Sequence, residues 1–238
     1  DAHQGRIFVH PVRRLRQRYR EVLREEQQAT KSLNAYENRD TITTDGEHVK
    51  LYVNTGLMID VIRGTQRGAE GVGLYRSEML FMLRERFPGE EEQRIIYRQQ
   101  LSHFANKPVV MRTLDIGADK DLPYFSIKEE NSALGWRGIR FTLDHPEIFS
   151  AQIRAMLKAS IGLNNLHILL PMITTVSEVE ECLYLIERSL MEVQEEEQVK
   201  INRPKIGVMI EVPSMLMQLE DMASLVDFFS VGSNDLTQ

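Results

Sequence analysis

Six short apolar runs, each closing on a polar residue, alternate with helix-patterned segments from Ile42 to the end of the chain. The runs span 49–54, 71–76, 109–115, 166–173, 206–210 and 228–231. Unbroken Val/Ile/Leu/Met/Phe stretches of about five residues read as strands buried on both faces. The segments between them, at 58–67, 90–106, 146–160, 177–196 and 214–222, read as helices. Helix starts are marked by Pro146, by Ser177 three residues before Glu180, and by Ser214. Regular alternation of this kind predicts βαβ units and a parallel sheet.

Ligands of parallel α/β folds sit at the carboxyl ends of the strands. Polar residues stand there throughout: Asn54, Arg76, Arg112 with Asp115, Thr174, Glu211, and Asn234 with Asp235. Side chains converging on one rim from several strands fit a TIM (β/α)8 barrel. Such a barrel takes eight strands and about 250 residues, whereas residues 42–238 supply six. The expectation is therefore an incomplete barrel, with two open edges, that folds poorly alone.

Composition narrows the function classes. A formal charge of −6 argues against a general nucleic-acid binder. No stretch approaches the roughly 18 apolar residues of a membrane span, and no signal-peptide pattern opens the chain, which implies a cytoplasmic protein. The single cysteine, Cys182, excludes an internal disulfide and lies among Val179, Leu183, Ile186 and Leu190 at helical spacing, so it reads as packing. Before the alternation begins, residues 1–9 read as a turn and a short strand. Residues 11–38 read as a helix with Leu15, Tyr19, Val22 and Leu23 on one stripe. Its five arginines between Arg13 and Arg20 are followed by Glu21, Glu25 and Glu26, the pattern of a solvated, self-paired connector.

The cations at the rim suggest an anionic ligand. Arg76 and Arg112 each follow an apolar run directly, and a guanidinium forks onto carboxylate or phosphate oxygens without ever losing its charge. LGWRGIR adds Arg137 and Arg140, and Lys120 follows a loop whose Gly117 lets backbone approach a ligand. Carboxylates to hold Mg²⁺ and cations to neutralise phosphate make a coherent set. No GxxxxGK[ST] loop occurs, so a P-loop nucleotide site is unsupported.

In order, GVGLYRSEMLF, MRTLDIGADKDLPYF, LGWRGIR, MIEVPS and FFSVGSNDLTQ resemble the phosphoenolpyruvate-binding domain of enzyme I of the bacterial phosphotransferase system. IEVPS and GWRGIRFTLD look like its nitrogen-related branch. The resemblance implies a division into 1–10, the end of an upstream phosphohistidine domain, 11–41, a linker helix, and 42–238, the barrel. It implies that Arg76, Arg112 and Arg137 contact phosphoenolpyruvate, with Lys120, Asn234 and Asp235 as further substrate contacts, and that Glu211 and Asp235 hold Mg²⁺. The phosphoryl-accepting histidine is expected before residue 1, and the acid cysteine and another arginine after Gln238. The implied partners are phosphoenolpyruvate and an HPr-like carrier protein phosphorylated on histidine, with a homodimer when full length and neither nucleic acid nor membrane involved. The alternatives are a dikinase or synthase domain that uses phosphoenolpyruvate, or a non-catalytic phosphoenolpyruvate sensor.

Overall fold

A computed structural model describes the chain apart from residues 1–4, 35, 37, 38, 118–121, 123, 126–134 and 238. It divides into two compact units, Asp1–Val49 and Lys50–Gln238. The first carries helix α1 (Arg13–Asn34) and a tight turn closed by an antiparallel bridge between Ile42 and His48. Residues 5–9 form no strand; Phe8 instead packs its ring on Tyr19, 5.6 Å away. The α1 arginines Arg13, Arg14, Arg16, Arg18 and Arg20 are exposed and, among the described residues, form no ion pair, unlike the expected self-paired helix. Exposed partners in water gain too little to hold two long side chains in one geometry.

The second unit is a half-barrel of six parallel strands in sequential order. These are β1 (Val53–Thr55), β2 (Val72–Arg76), β3 (Val109–Arg112), β4 (Leu166–Leu170), β5 (Lys205–Ile210) and β6 (Phe228–Val231). Each neighbour in the sheet is the next strand in the chain, so the order never reverses as it does in doubly wound folds. The main connecting helices are α2 (Met58–Gln66), α4 (Glu90–His103), α6 (Pro146–Ser160) and α7 (Val176–Glu197). Three short helices escaped the sequence pattern: α3 (Glu78–Met82), α5 (Ile139–Asp144) and α9 (Ser233–Leu236). The segment after β5 is a 3-10 turn, Pro213–Gln218, followed by helix α8 (Leu219–Ala223).

The two-residue strand period sorts the sheet into two faces. Val109 and Met111, Leu166, Ile168 and Leu170, and Ile206 and Val208 point to one face, where they form the main core with Tyr97, Phe149, Ile153, Val179 and Ile186 from the helices. Cys182 is fully buried in this layer, and burial pushes its thiol well up from the ordinary value. The opposite face is lined by Leu74, Val110, Leu169, Met209 and Phe228. Arg112 follows Val110 by two residues and Glu211 follows Met209 by two, so the same alternation carries both onto this second face at the strand ends. Helix α7 is capped two residues earlier than expected, at Thr175 rather than Ser177: Thr175 accepts from Glu178 N–H while Glu178 reaches back, a capping box.

Gly207 on β5 makes the second face possible. A Cβ there would lie 2.4 Å from the Phe228 ring, which lies over the glycine and tilts against His167 at 5.8 Å. Gly207→Ala is expected to destabilise the fold by about 1–3 kcal/mol, the usual cost of overpacking, with part recovered by adding Phe228→Leu. Thermal melting checks this, and an unchanged Tm for Gly207→Ala would contradict the packing assignment.

Candidate functional site

The strands stop at the rim, and ion pairs take over there. Arg112, at the end of β3, donates from Nη2 to Glu78 Oε1 at 2.7 Å and approaches Asp115 Oδ2 at 2.9 Å. Asp115 also takes the Arg137 fork, from Nε at 2.8 Å and from Nη2 at 3.0 Å. Arg137 Nη1 then donates to Asp235 Oδ1 at 3.0 Å. The result is one chain of alternating charge, Glu78–Arg112–Asp115–Arg137–Asp235, which links the ends of β2, β3 and β6. Asp115 at its centre has no exposed surface.

Arg112 is held by one edge only. Its Nη2 carries both ion pairs, and among the described residues Nη1 meets only the Met209 sulfur at 3.9 Å and the buried Nε has no hydrogen-bond partner. Burial opposes its charge, but Asp115, Glu78 and Glu211 together more than compensate and raise its pKa. Glu211 is equally one-sided. Its Oε1 accepts from Met172 N–H at 2.6 Å, whereas among the described residues the buried Oε2 has no hydrogen-bond partner. Burial pushes Glu211 up to about 7, with Asp115 and Asp235 adding to the rise and the Met172 bond and Arg112 opposing it.

Other predicted residues occupy the same rim. Arg76 is exposed at the end of β2 and, among the described residues, has no hydrogen bond or ion pair. β2 and β3 place Arg76 and Arg112 in register as neighbours. Asn234 is exposed after β6, and Lys120 lies outside the described residues. Arg140 turns to Gly135 O and Thr174 Oγ1 at 2.7 and 2.8 Å. Gly117 also gives room to a neighbour: a Cβ there would lie 2.9 Å from the Arg137 side chain. Sequence reasoning missed Glu78, whose pairing with Arg112 spans 34 residues and leaves no local signature. It also left Asp115 without a role. Among the described residues no cluster of three or more His, Cys, Asp or Glu has the arrangement of a metal site.

Residues 30–238 match the family described as PEP-utilising enzyme, PEP-binding domain. The chain belongs to the PEP-utilising enzymes. It is 48% identical over 238 residues to the "Phosphoenolpyruvate-dependent phosphotransferase system" protein of Escherichia coli, covering all of this chain and 32% of that one. It is 39% identical to the "Phosphoenolpyruvate-protein phosphotransferase" of Staphylococcus carnosus, again over the whole chain and 42% of the relative. The chain thus spans about a third to two fifths of the length of these relatives. Among solved structures, a deoxyribose-phosphate aldolase described as putative, from Toxoplasma gondii, covers 75% of this chain and is itself covered to 62%, at a TM-score of 0.41 and 17% identity.

The raised Glu211 carboxyl sets a pH dependence. Unfolded, it titrates near 4.5; folded, near 7. Across that window the folded chain keeps a proton that the unfolded chain has lost, so this contribution is greatest below the lower value and disappears as pH rises through the upper one. In metal-free buffer Glu211→Gln should therefore raise Tm at pH 8 by about 5 °C and give no gain at pH 4.5. Equal shifts at both pH values would count against a strained, charged Glu211.

Proposed function

We propose that this domain binds phosphoenolpyruvate with Mg²⁺ and presents it for phosphoryl transfer to a histidine of another domain of the same protein, which passes the group to an HPr-like carrier. The observation that carries the reading is the pairing at the rim of a half-satisfied buried arginine with a half-satisfied buried carboxylate, Arg112 Nε and Glu211 Oε2. Leaving buried polar atoms unbonded is costly, so a ligand that is anionic on one side and cationic on the other matches both.

Arg112 and the exposed Arg76, neighbours across β2 and β3, would take the phosphate and carboxylate oxygens. Glu211 and Asp235 would hold the cation. The fit is chemical: Glu78, Asp115, Glu211 and Asp235 outnumber the two buried arginines, Arg112 and Arg137, and one Glu211 oxygen is unbonded. When bound, Mg²⁺ neutralises phosphate oxygens and spreads the charge of the transferring group. Arg137 holds Asp235 in place through its Nη1, and the exposed Asn234, together with Lys120, would add contacts to the substrate. In the transfer the bond from phosphorus to the enolate oxygen breaks as a bond to the histidine nitrogen forms. The enolate then takes a proton and leaves as pyruvate. Fixed guanidinium charge at the oxygens stabilises that transition state without reorganisation.

The motifs quoted above support a cytoplasmic enzyme I, dimeric when full length, and IEVPS and GWRGIRFTLD support its nitrogen-related branch. Trp136 adjoins Arg137 and packs on Phe141 at 5.1 Å, which makes it a reporter on the rim. Its fluorescence should respond saturably to phosphoenolpyruvate in Mg²⁺ and lose the response in EDTA. Arg112→Ala should weaken half-saturation by about 10–100-fold, the worth of a charge-assisted hydrogen bond. A folded protein whose wild-type form ignores phosphoenolpyruvate plus Mg²⁺ would overturn the reading.

A further inference from the structure

Gln152 sits at a core position of α6, between Phe149 and Ile153, and is fully buried. A polar residue on the apolar stripe of a helix needs partners, and here every one of them points toward the rim or the helix beside it. Leu114 N–H donates to Gln152 Oε1 at 2.8 Å. Gln152 Nε2 donates to Ser77 Oγ at 3.1 Å and to Tyr97 Oη at 3.1 Å. Tyr97 O–H in turn donates to Gln93 Oε1 at 2.9 Å, and Gln93 Nε2 to Pro88 O at 2.9 Å. Only one orientation of the Gln152 amide serves, because the Leu114 N–H requires an acceptor opposite it.

The two loop partners are adjacent to the charged rim. Ser77 separates Arg76 from Glu78, and Leu114 precedes Asp115 in the loop that follows Arg112. One amide on a helix therefore spans the turns leaving β2 and β3, and the Arg112–Glu78 pair at 2.7 Å ties the same two strand ends a second time. We infer that Gln152 is a positioning residue: it sets the separation of the β2 and β3 turns, and through them the geometry of Arg76 and Arg112 toward the anionic ligand. The inference rests on the phosphoenolpyruvate reading. Gln152 touches no ligand; it acts through Ser77 and Leu114.

The test measures phosphoenolpyruvate affinity in Mg²⁺ and Tm for the full-length gene product and three variants. Gln152→Met keeps the volume and removes the amide, and Ser77→Ala removes one end of the bridge. Asn165→Ala is the control, since Asn165 is buried at the start of β4, where its amide holds Leu101 O at 3.0 Å and Phe104 O at 2.7 Å, far along the strands from the rim. Gln152→Met should weaken affinity at least tenfold and Ser77→Ala at least threefold, while Asn165→Ala lowers Tm but keeps affinity within twofold. Affinity within twofold of wild type in Gln152→Met and Ser77→Ala would overturn the inference, as would a loss in Asn165→Ala that matches theirs. If Gln152→Met does not fold, Ser77→Ala against Asn165→Ala decides by the same criterion. A wild-type protein with no saturable phosphoenolpyruvate binding fails at an earlier step: the ligand reading falls, and this inference with it.

Discussion

Two arginines share one buried aspartate, and the rim is built outward from that arrangement. Without Asp115 the guanidiniums of Arg112 and Arg137 would lose the carboxylate that both share, and a buried charge stripped of such a partner is strongly destabilising. With it, the charges alternate from Glu78 to Asp235, and each arginine is fixed by carboxylates on separate elements. Ion pairing here is less a source of net stability than a means of specifying geometry, since an apolar replacement of similar volume could be as stable. Its value is that it orders atoms where the strand hydrogen bonds have ended.

That geometry depends on what lies beneath it. The strand period sends one set of residues into the helical layer and the other, including Arg112 and Glu211, to the opposite face. Gly207 yields space to Phe228, and the chain of hydrogen bonds from Leu114 through Gln152 and Tyr97 joins the helical layer to the rim. Fully satisfied polar networks of this kind rigidify a core because each member constrains the orientation of the next.

Much of this was legible in the sequence, for physical reasons. Buried parallel strands are continuous apolar runs, so all six were found, and the polar residue after each run marks the rim whatever the tertiary detail. The short helices α3, α5 and α9 were not found, because five, six and four residues carry too little periodicity. The α7 cap was misplaced because Thr175 with Glu178 and Ser177 with Glu180 satisfy the same spacing, and only the observed backbone chooses between them. Glu78 was invisible because its role is a contact across the fold. Gln152 did leave a signal: a polar residue amid Phe149, Ile153 and Met156 breaks the apolar stripe of its helix.

The burial of Cys182 has a practical corollary. It is the only cysteine in the chain, and a thiol with no exposed surface whose ionisation is suppressed by its surroundings reacts slowly with alkylating reagents. Native thiol chemistry is thereby silenced in this chain. A cysteine introduced beside the rim would be selectively labelled in the folded protein, so spectroscopic distance rulers can be attached with the native residue left in place.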